Sequence, residues 1–435
     1  MLGMIGVLAA LAILIYLALR GVSILIISVA CAAVVALANG LSLDDALMGS
    51  YAQGLAGFVQ AFFLLFLFGA IFGKIMGDSG AATSVAYVLS RKLGAGNALL
   101  ISVLACAILS YGGVNVFILV FTVYPLGLAL IKHANLPKRL LAGAFALGAG
   151  TFTMTALPGT PAIQNIIPSQ ALGTPATAAP AVGIVAAIVM FFLGYSYLRW
   201  QGRKAARTGD GFVPGPADEV ASLDLDPRDM PHWLVSLVPL AVVVGIIVTA
   251  SLLPLKPPLA WVNVGLAAGC VVGVVVFWRR LKAPNATLAQ GAANSAVPLI
   301  NTSAVIGFGA VVAAVPAFTM FGDFVMGVKL PPLVSAAFSV NVIAGLVGSA
   351  SGGLRIFMET LGPDYVRLGV DPALLHRISS IASGGLDSLP HSGAVITTLA
   401  VMGMTHRDAY KEIFVVTVLV PLAALGVALL VALAL

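Results

Sequence analysis

Apolar runs close to the about 20 residues that cross a bilayer recur from one end of this chain to the other. Residues 2–19, 22–38, 58–75, 181–198, 234–253, 259–277, 299–318 and 413–433 all qualify. Hydrocarbon offers no water to backbone N–H and C=O groups, so a segment lying in lipid must pair them within itself. A long apolar run does so as a helix. The expected fold class is therefore an all-α polytopic membrane protein. Charged residues make up only 9% of the chain, against roughly 25% in soluble domains.

Two regions depart from the plain spanning pattern. Residues 97–170 and 331–404 are apolar but repeatedly interrupted by Gly, Pro and polar side chains. Interrupted spans in corresponding places of two halves point to the binding site of a transporter. The two regions also share landmarks in the same order. The first reads Tyr111-Gly-Gly, Pro137-Lys-Arg139, Gly148-Ala-Gly150 and 156-ALPGTPAIQN-165. The second reads Ser351-Gly-Gly, Pro372 with His376-Arg377, Ser383-Gly-Gly385 and 388-SLPHSGAVIT-397. The ordered set predicts a duplicated unit.

Basic loops set the orientation, because short cytoplasmic loops are rich in Lys and Arg. Arg91-Lys92 and Lys132, Lys138 and Arg139 flank residues 97–131 on one side, which predicts a re-entrant hairpin with its tip at 110-SYGGVN-115. A helix broken at 155-TALPGTP-161 then crosses within 139–170. Residues 199–231, rich in Arg, Lys, Gly and Pro, read as a cytoplasmic linker between a first repeat at 1–198 and a second at 232–435. Continuing the alternation gives the second half the opposite orientation. Its hairpin is 331–361, with the tip at 348-GSASGG-353, and its broken helix is 372–404. The expectation is an inverted repeat with two opposed re-entrant hairpins and two broken helices, about ten crossings in all, both termini being periplasmic or extracellular.

Breaks carry chemistry because half-helix N-termini attract anions and half-helix C-termini attract cations. The candidate substrate-binding residues of the first pair of breaks are Ser110, Gly112, Gly113, Asn115, Thr155, Thr160, Gln164 and Asn165. Those of the second pair are Ser349, Ser351, Gly352, Gly353, Arg355 and Ser388. Hydroxyls and amides suit a small organic anion, and a guanidinium can hold its carboxylate in a bidentate pair. Plainer readings stand beside these. Membrane Ser and Thr often bond a neighbouring helix, Gly pairs serve close packing, and Arg355 can act as an interfacial anchor paired with Glu359.

Asp387 and His391, set around Pro390, are the candidate proton-coupling residues. Ionisable side chains at bilayer depth are costly and by default functional, and His changes charge near neutral pH. The plainer reading has Asp387 as a helix cap and His391 bonded to a carbonyl. Carbonyls at Gly112, Gly352 and Pro390 offer sodium an alternative site. A membrane-embedded hydrolase using Ser388 and His391 is a reading of another class, but their spacing around a proline does not set up nucleophile and base. No GxxxxGK[ST] motif is present, so ATP-driven pumping is not expected. Cys31, Cys106 and Cys270 are isolated in apolar segments and predict neither disulfide nor metal site. No cofactor is expected. The net charge of +6 lies in loops that set topology and indicates no nucleic acid.

The stretches 149-AGTFTMTALPGTPAIQNIIP-168 and 383-SGGLDSLPHSGAVITTLAVMGMTHRDAY-410 together resemble the gluconate permease (GntP) family of bacterial carboxylate symporters, within the ion transporter superfamily. The resemblance implies import of sugar acids and small hydroxy acids with protons. It also implies an inner-membrane location among lipid, a homodimeric scaffold-plus-transport architecture and an elevator motion. After the first break this chain reads Leu157-Pro-Gly-Thr-Pro161 where gluconate permeases carry a His-Pro-rich segment. A smaller acid of glycerate, lactate or 3-hydroxybutyrate type is therefore expected at least as much as gluconate.

Overall fold

The computed structural model describes residues 2–111, 116–160, 162–215, 218, 229–252, 258–316 and 330–434. Among them every regular element is helical. In chain order these are α1 (Leu2–Leu19), α2 (Ile24–Ala38), α3 (Ala52–Asp78, continuing a π-helical turn at Asp45–Tyr51), α4 (Ala81–Leu93), α5 (Ala98–Tyr111), α6 (Val116–His133), α7 (Arg139–Gly150), α8 (Ile163–Leu172) and α9 (Pro180–Thr208). After the linker come α10 (Trp233–Leu252), α11 (Pro258–Phe277), α12 (Pro284–Ala314), α13 (Pro332–Val347), α14 (Ala350–Thr360), α15 (Gly362–Arg367), α16 (Pro372–Ser383), α17 (Gly393–Val401), α18 (His406–Phe414) and α19 (Val420–Ala434).

Asp45–Asp78, Pro180–Thr208, Ala260–Phe277, Pro284–Ala314 and His406–Ala434 are long and apolar enough to cross a membrane. A sixth span results if α4 and α5, bent by 117° against each other, count as one. Gly3–Leu19, Ile24–Ala38, Leu119–His133, Trp233–Ile246 and Pro332–Val347 are shorter apolar helices. The fold is that of a polytopic membrane protein. Each apolar run expected from sequence lies largely within one of these helices. Two differences have local causes. Helix α12 starts well before residue 299, because Pro284 suits the first turn of a helix and Gly291 lets α3 approach: a Cβ there would lie 2.8 Å from Ile71 Cα. Helix α4 lacks a long apolar run. It buries Ala82, Val85 and Ala86 on one face and carries Arg91 and Lys92 in its last turn, where the helix dipole favours them.

Lipid replaces water as the outer solvent, so apolar side chains line both the interior and the periphery. Helix α9 shows both: Val182, Ala186, Met190 and Gly194 are buried, whereas Ile184, Ile188 and Phe192 are exposed on the other side. The main core runs through α3 to α9 and on into α16 to α19. A separate cluster joins α1 and α2 to Ala304, Phe308 and Val312 of α12.

Close crossings position the broken segments. Gly148 sits so near α5 that a Cβ would lie 2.3 Å from the Val103 carbonyl oxygen. Beyond α7 the chain turns once as a π-helix at Phe152–Ala156, leaves helical geometry at Leu157 and resumes at α8. The second interruption separates α16 from α17 over residues 384–392. Helices α13 and α14 form a hairpin that reverses at Gly348, whose φ of +67° is the left-handed conformation open to glycine. Ser349 caps α14 by accepting from the Gly352 N–H at 3.2 Å.

Candidate functional site

At the first break several main-chain carbonyls accept from side chains of the break itself and of α5. Thr151 and Thr155 hydroxyls donate back to Leu147 and Thr151 carbonyls at 2.6 and 3.0 Å. Thr153 donates to the Gly148 carbonyl at 2.8 Å and lies 3.0 Å from Ser110 Oγ, which itself donates to the Ala149 carbonyl. Tyr111 donates its hydroxyl to the Pro158 carbonyl at 3.2 Å, and Thr160 donates to the Tyr111 carbonyl. The end of α5 is thus bonded to the break in α7–α8. Gly112, Gly113 and Asn115, singled out from sequence, lie outside the described residues.

At the second break Asp387 is buried and accepts from Ser388 Oγ at 3.0 Å. His391 is fully buried against the edge of Phe308 and donates Nε2–H to the Gly345 carbonyl of α13 at 2.9 Å. A neutral imidazole that donates from Nε2 leaves Nδ1 as a lone-pair acceptor. That Nδ1 is buried with no hydrogen-bond partner among the described residues. One turn earlier on α13, Asn341 Oδ1 is likewise buried and unpartnered, pressed against Gly385. The second hairpin therefore touches the second break at two points, as the end of α5 touches the first.

The two breaks also meet each other. Gly384 leaves room for the Thr155 side chain, since a Cβ there would lie 2.8 Å from Thr155 Cγ2. His376 donates Nε2–H to Asn165 Oδ1 at 2.9 Å and accepts at Nδ1 from Thr174 at 2.7 Å. Asn165 donates in turn to the Thr160 and Ala176 carbonyls. Gln164 is buried, and its carbonyl accepts from Ser380 at 2.8 Å. Arg377, fully buried, donates Nε–H to the Ala178 carbonyl at 3.0 Å, and its terminal nitrogens donate to Ala176 at 3.0 Å and Ala156 at 3.4 Å.

Of the residues proposed from sequence, Ser110, Thr155, Thr160, Gln164, Asn165, Asp387, Ser388 and His391 fall within this contact network. Ser349, Ser351 and Gly352 sit together at the second hairpin turn. Gly353 has a packing task, since a Cβ there would lie 2.4 Å from Ala344 Cα across the hairpin. Arg355 is not in the network. Helix α14 buries Leu354, Phe357 and Met358 and leaves Arg355 and Glu359 exposed on its other side. The buried guanidinium is Arg377 instead. Its signal in the sequence was a basic pair inside the apolar stretch 374-LLHRISSIA-382, where topology gives a charge no loop to occupy.

Helices bent around two interruptions, with buried polar side chains at the breaks, fit a membrane transporter of the broken-helix kind. The comparisons agree. The model of the GntP family permease matches residues 2–352. An uncharacterized transporter, YxjC, of Bacillus subtilis (strain 168) is 35% identical over 458 residues, covering 97% of each chain. An uncharacterized transporter of Haemophilus influenzae is 25% identical over 368 residues, covering 83% of this chain and 82% of its own. The chain belongs to the GntP permease family and is a transporter, not an enzyme.

Proposed function

We propose that this permease is a secondary active symporter of the bacterial inner membrane. It imports a small hydroxy monocarboxylate or sugar acid together with protons, as a homodimer working by an elevator motion. The observation that carries the reading is the second break: a buried carboxyl, Asp387, and a buried imidazole, His391, whose Nδ1 lacks a partner among the described residues. An ionised acid buried there costs free energy unless it is paired. Binding a proton removes that cost and also removes repulsion towards an anionic cargo. Proton first and anion second is then the order that lets both cross together. Sodium coupling is less favoured, because the Pro390 carbonyl, one of its proposed ligands, already accepts from His406 Nε2 at 2.7 Å.

Counterflow and gradient-driven uptake in proteoliposomes test this, with labelled C3 to C6 hydroxy acids and with pH and Na+ gradients imposed separately. Asp387→Asn imitates the protonated carboxyl, so it retains exchange and loses accumulation driven by a pH gradient. His391→Ala shows which of the two groups carries the proton. Proton-driven accumulation surviving in both single variants and in the double variant sinks the mechanism.

A further inference from the structure

Away from the breaks the structure holds a second place built around a carboxylate. Asp218, from the segment joining the two halves, has both oxygens engaged. Lys138 Nζ lies 2.8 Å from Oδ1 and 2.7 Å from Oδ2. The Tyr124 hydroxyl donates to Oδ1 at 2.6 Å, and the Gly215 N–H donates to Oδ2 at 2.6 Å. The Lys138 and Asp218 side chains are 6% and 1% exposed. Short charge-assisted contacts to both oxygens are how proteins recognise a carboxylate ligand. Gly215 fits that role: a Cβ there would lie 2.8 Å from Lys138 Nζ, so the bare main chain approaches the ammonium without displacing it.

The place adjoins open volume. Tyr124 and Asp218 both line a cavity of about 350 Å³ that also meets Lys74, Asn294, Ala400 and Val401. Ala400 and Val401 end α17, the helix that begins at the second break, so cavity and break lie about 10 Å apart along it at 1.5 Å per residue. The Tyr124 hydroxyl has one proton and two acceptors, Asp218 Oδ1 at 2.6 Å and the Met402 carbonyl at 3.3 Å. Met402 caps α17. Loss of the carboxylate therefore frees the Tyr124 proton for the end of the helix that carries the second break.

We propose that Lys138, Tyr124 and the Gly215 N–H form a carboxylate-binding site at the linker side of this cavity. The chain's own Asp218 occupies it as a tethered stand-in, and a small monocarboxylate arriving from the breaks displaces it. A buried Lys–Asp pair is a weak source of stability, because desolvation offsets its attraction. An exchangeable ligand site gives the pair a use that stability does not. The identity of the ligand rests on the carboxylate reading proposed above; the site itself is tested without transport.

The experiment uses full-length protein in detergent. Cys31, Cys106 and Cys270 are buried and none of them lines the cavity, whereas position 218 does, so a cysteine there is reached through the cavity over a low background. Asp218→Cys is reacted with two thiosulfonate reagents of matched size, one ending in a sulfonate and one in an ammonium. The site predicts that the ratio of anionic to cationic rates falls roughly tenfold when Lys138→Gln is added. It also predicts that acetate, but not chloride at equal ionic strength, slows the anionic reagent saturably. Thermal unfolding of Asp218→Asn supplies the second reading. Acetate raises its melting temperature more than the parent's, and Lys138→Gln abolishes the excess. A labelling ratio indifferent to Lys138, or equal acetate shifts in parent and Asp218→Asn, overturns the proposal. Acetate effects as predicted, in a protein that carries no carboxylate into proteoliposomes, would refute the transport reading and leave this site standing.

Discussion

Arg377 tests whether the meeting of the two breaks holds the fold together. Arg377→Met keeps the length and apolar bulk of the side chain and deletes three hydrogen bonds to main-chain carbonyls. The Ala176 carbonyl keeps two other donors, the Gly159 N–H at 3.0 Å and Asn165 Nδ2 at 2.9 Å. Ala156 and Ala178 lose the guanidinium. Each buried acceptor left without its donor costs about 1–3 kcal/mol, hence roughly 2–6 kcal/mol for the pair. Removing a buried charge returns part of this, because the guanidinium no longer has to be desolvated. The expected net loss is about 2–4 kcal/mol, several degrees in melting temperature on the scale of large domains. Arg377→Lys also falls short, since one ammonium on a shorter stem cannot reproduce a planar fork reaching three carbonyls. The assay is thermal unfolding of detergent-purified protein, followed by loss of the monodisperse chromatographic peak. Arg377→Met melting with the parent, or above it, would show that desolvation outweighs the carbonyls and that the contact does not hold the breaks together.

Other perturbations have equally definite outcomes. Gly348→Ala places a side chain at φ +67° with its Cβ 2.8 Å from His391 Cδ2, so about 1–2 kcal/mol of backbone strain adds to displacement of His391; reduced thermal stability together with impaired uptake is expected, and parental values for both would count against the hairpin contact. Arg355→Ala, at an exposed position, is expected to change stability by no more than about 0.5 kcal/mol and to leave transport affinity within about twofold, whereas a loss of roughly 30-fold or more would return Arg355 to the binding site. Cysteines introduced near Arg203 and Arg280 are expected to resist impermeant reagents added to intact cells, while ones near Asp44 react; external labelling near Arg203 overturns the inverted orientation of the halves.

Much of the architecture was legible because the bilayer restricts the choices. Apolar length marks helices, and Gly-Pro interruption marks breaks: Leu157-Pro-Gly stands where helical geometry stops, and Leu389-Pro390 lies within the second non-helical segment. Side-chain partnerships were less legible. Arg355 and Arg377 both lie in interrupted, mostly apolar sequence, and nothing in spacing says which one faces inward. The difference arises in three dimensions. Helix α14 packs through Leu354 and Phe357 and turns Arg355 away, whereas α16 is buried along its whole second half, so Arg377 must find acceptors there. Asn341 was missed because a single amide in an apolar helix is ordinarily a helix-to-helix bond. Its burial without a partner for Oδ1 is visible only in the fold. Asp218 falls in the expected cytoplasmic linker, and only the folded chain brings it to Lys138 and Tyr124, 80 and 94 residues away.

The two breaks solve the same problem with different chemistry. In the aligned stretches 156-ALPGTPAIQN-165 and 388-SLPHSGAVIT-397, Ala156 corresponds to Ser388 and Pro158 to Pro390. In both breaks these same two carbonyls are held by side chains. Arg377 and Tyr111 hold them in the first break; Tyr410, at 3.1 Å, and His406, at 2.7 Å, hold them in the second. A half-helix C-terminus favours positive charge. The first receives a permanent cation from the other half of the chain, and with it no need for a mobile one. The second receives a hydroxyl and an imidazole, beside buried Asp387 and His391, which under the proposed mechanism would gain and lose charge as protons. The same arginine, with His376 on Asn165, bonds α16 to the first break and to the loop before α9. Neither break can shift alone without leaving a buried guanidinium and several carbonyls unpaired, a cost of several kcal/mol. A transport motion that preserves these bonds carries both breaks as one body, and under the proposed mechanism the proton would bind at only one of them.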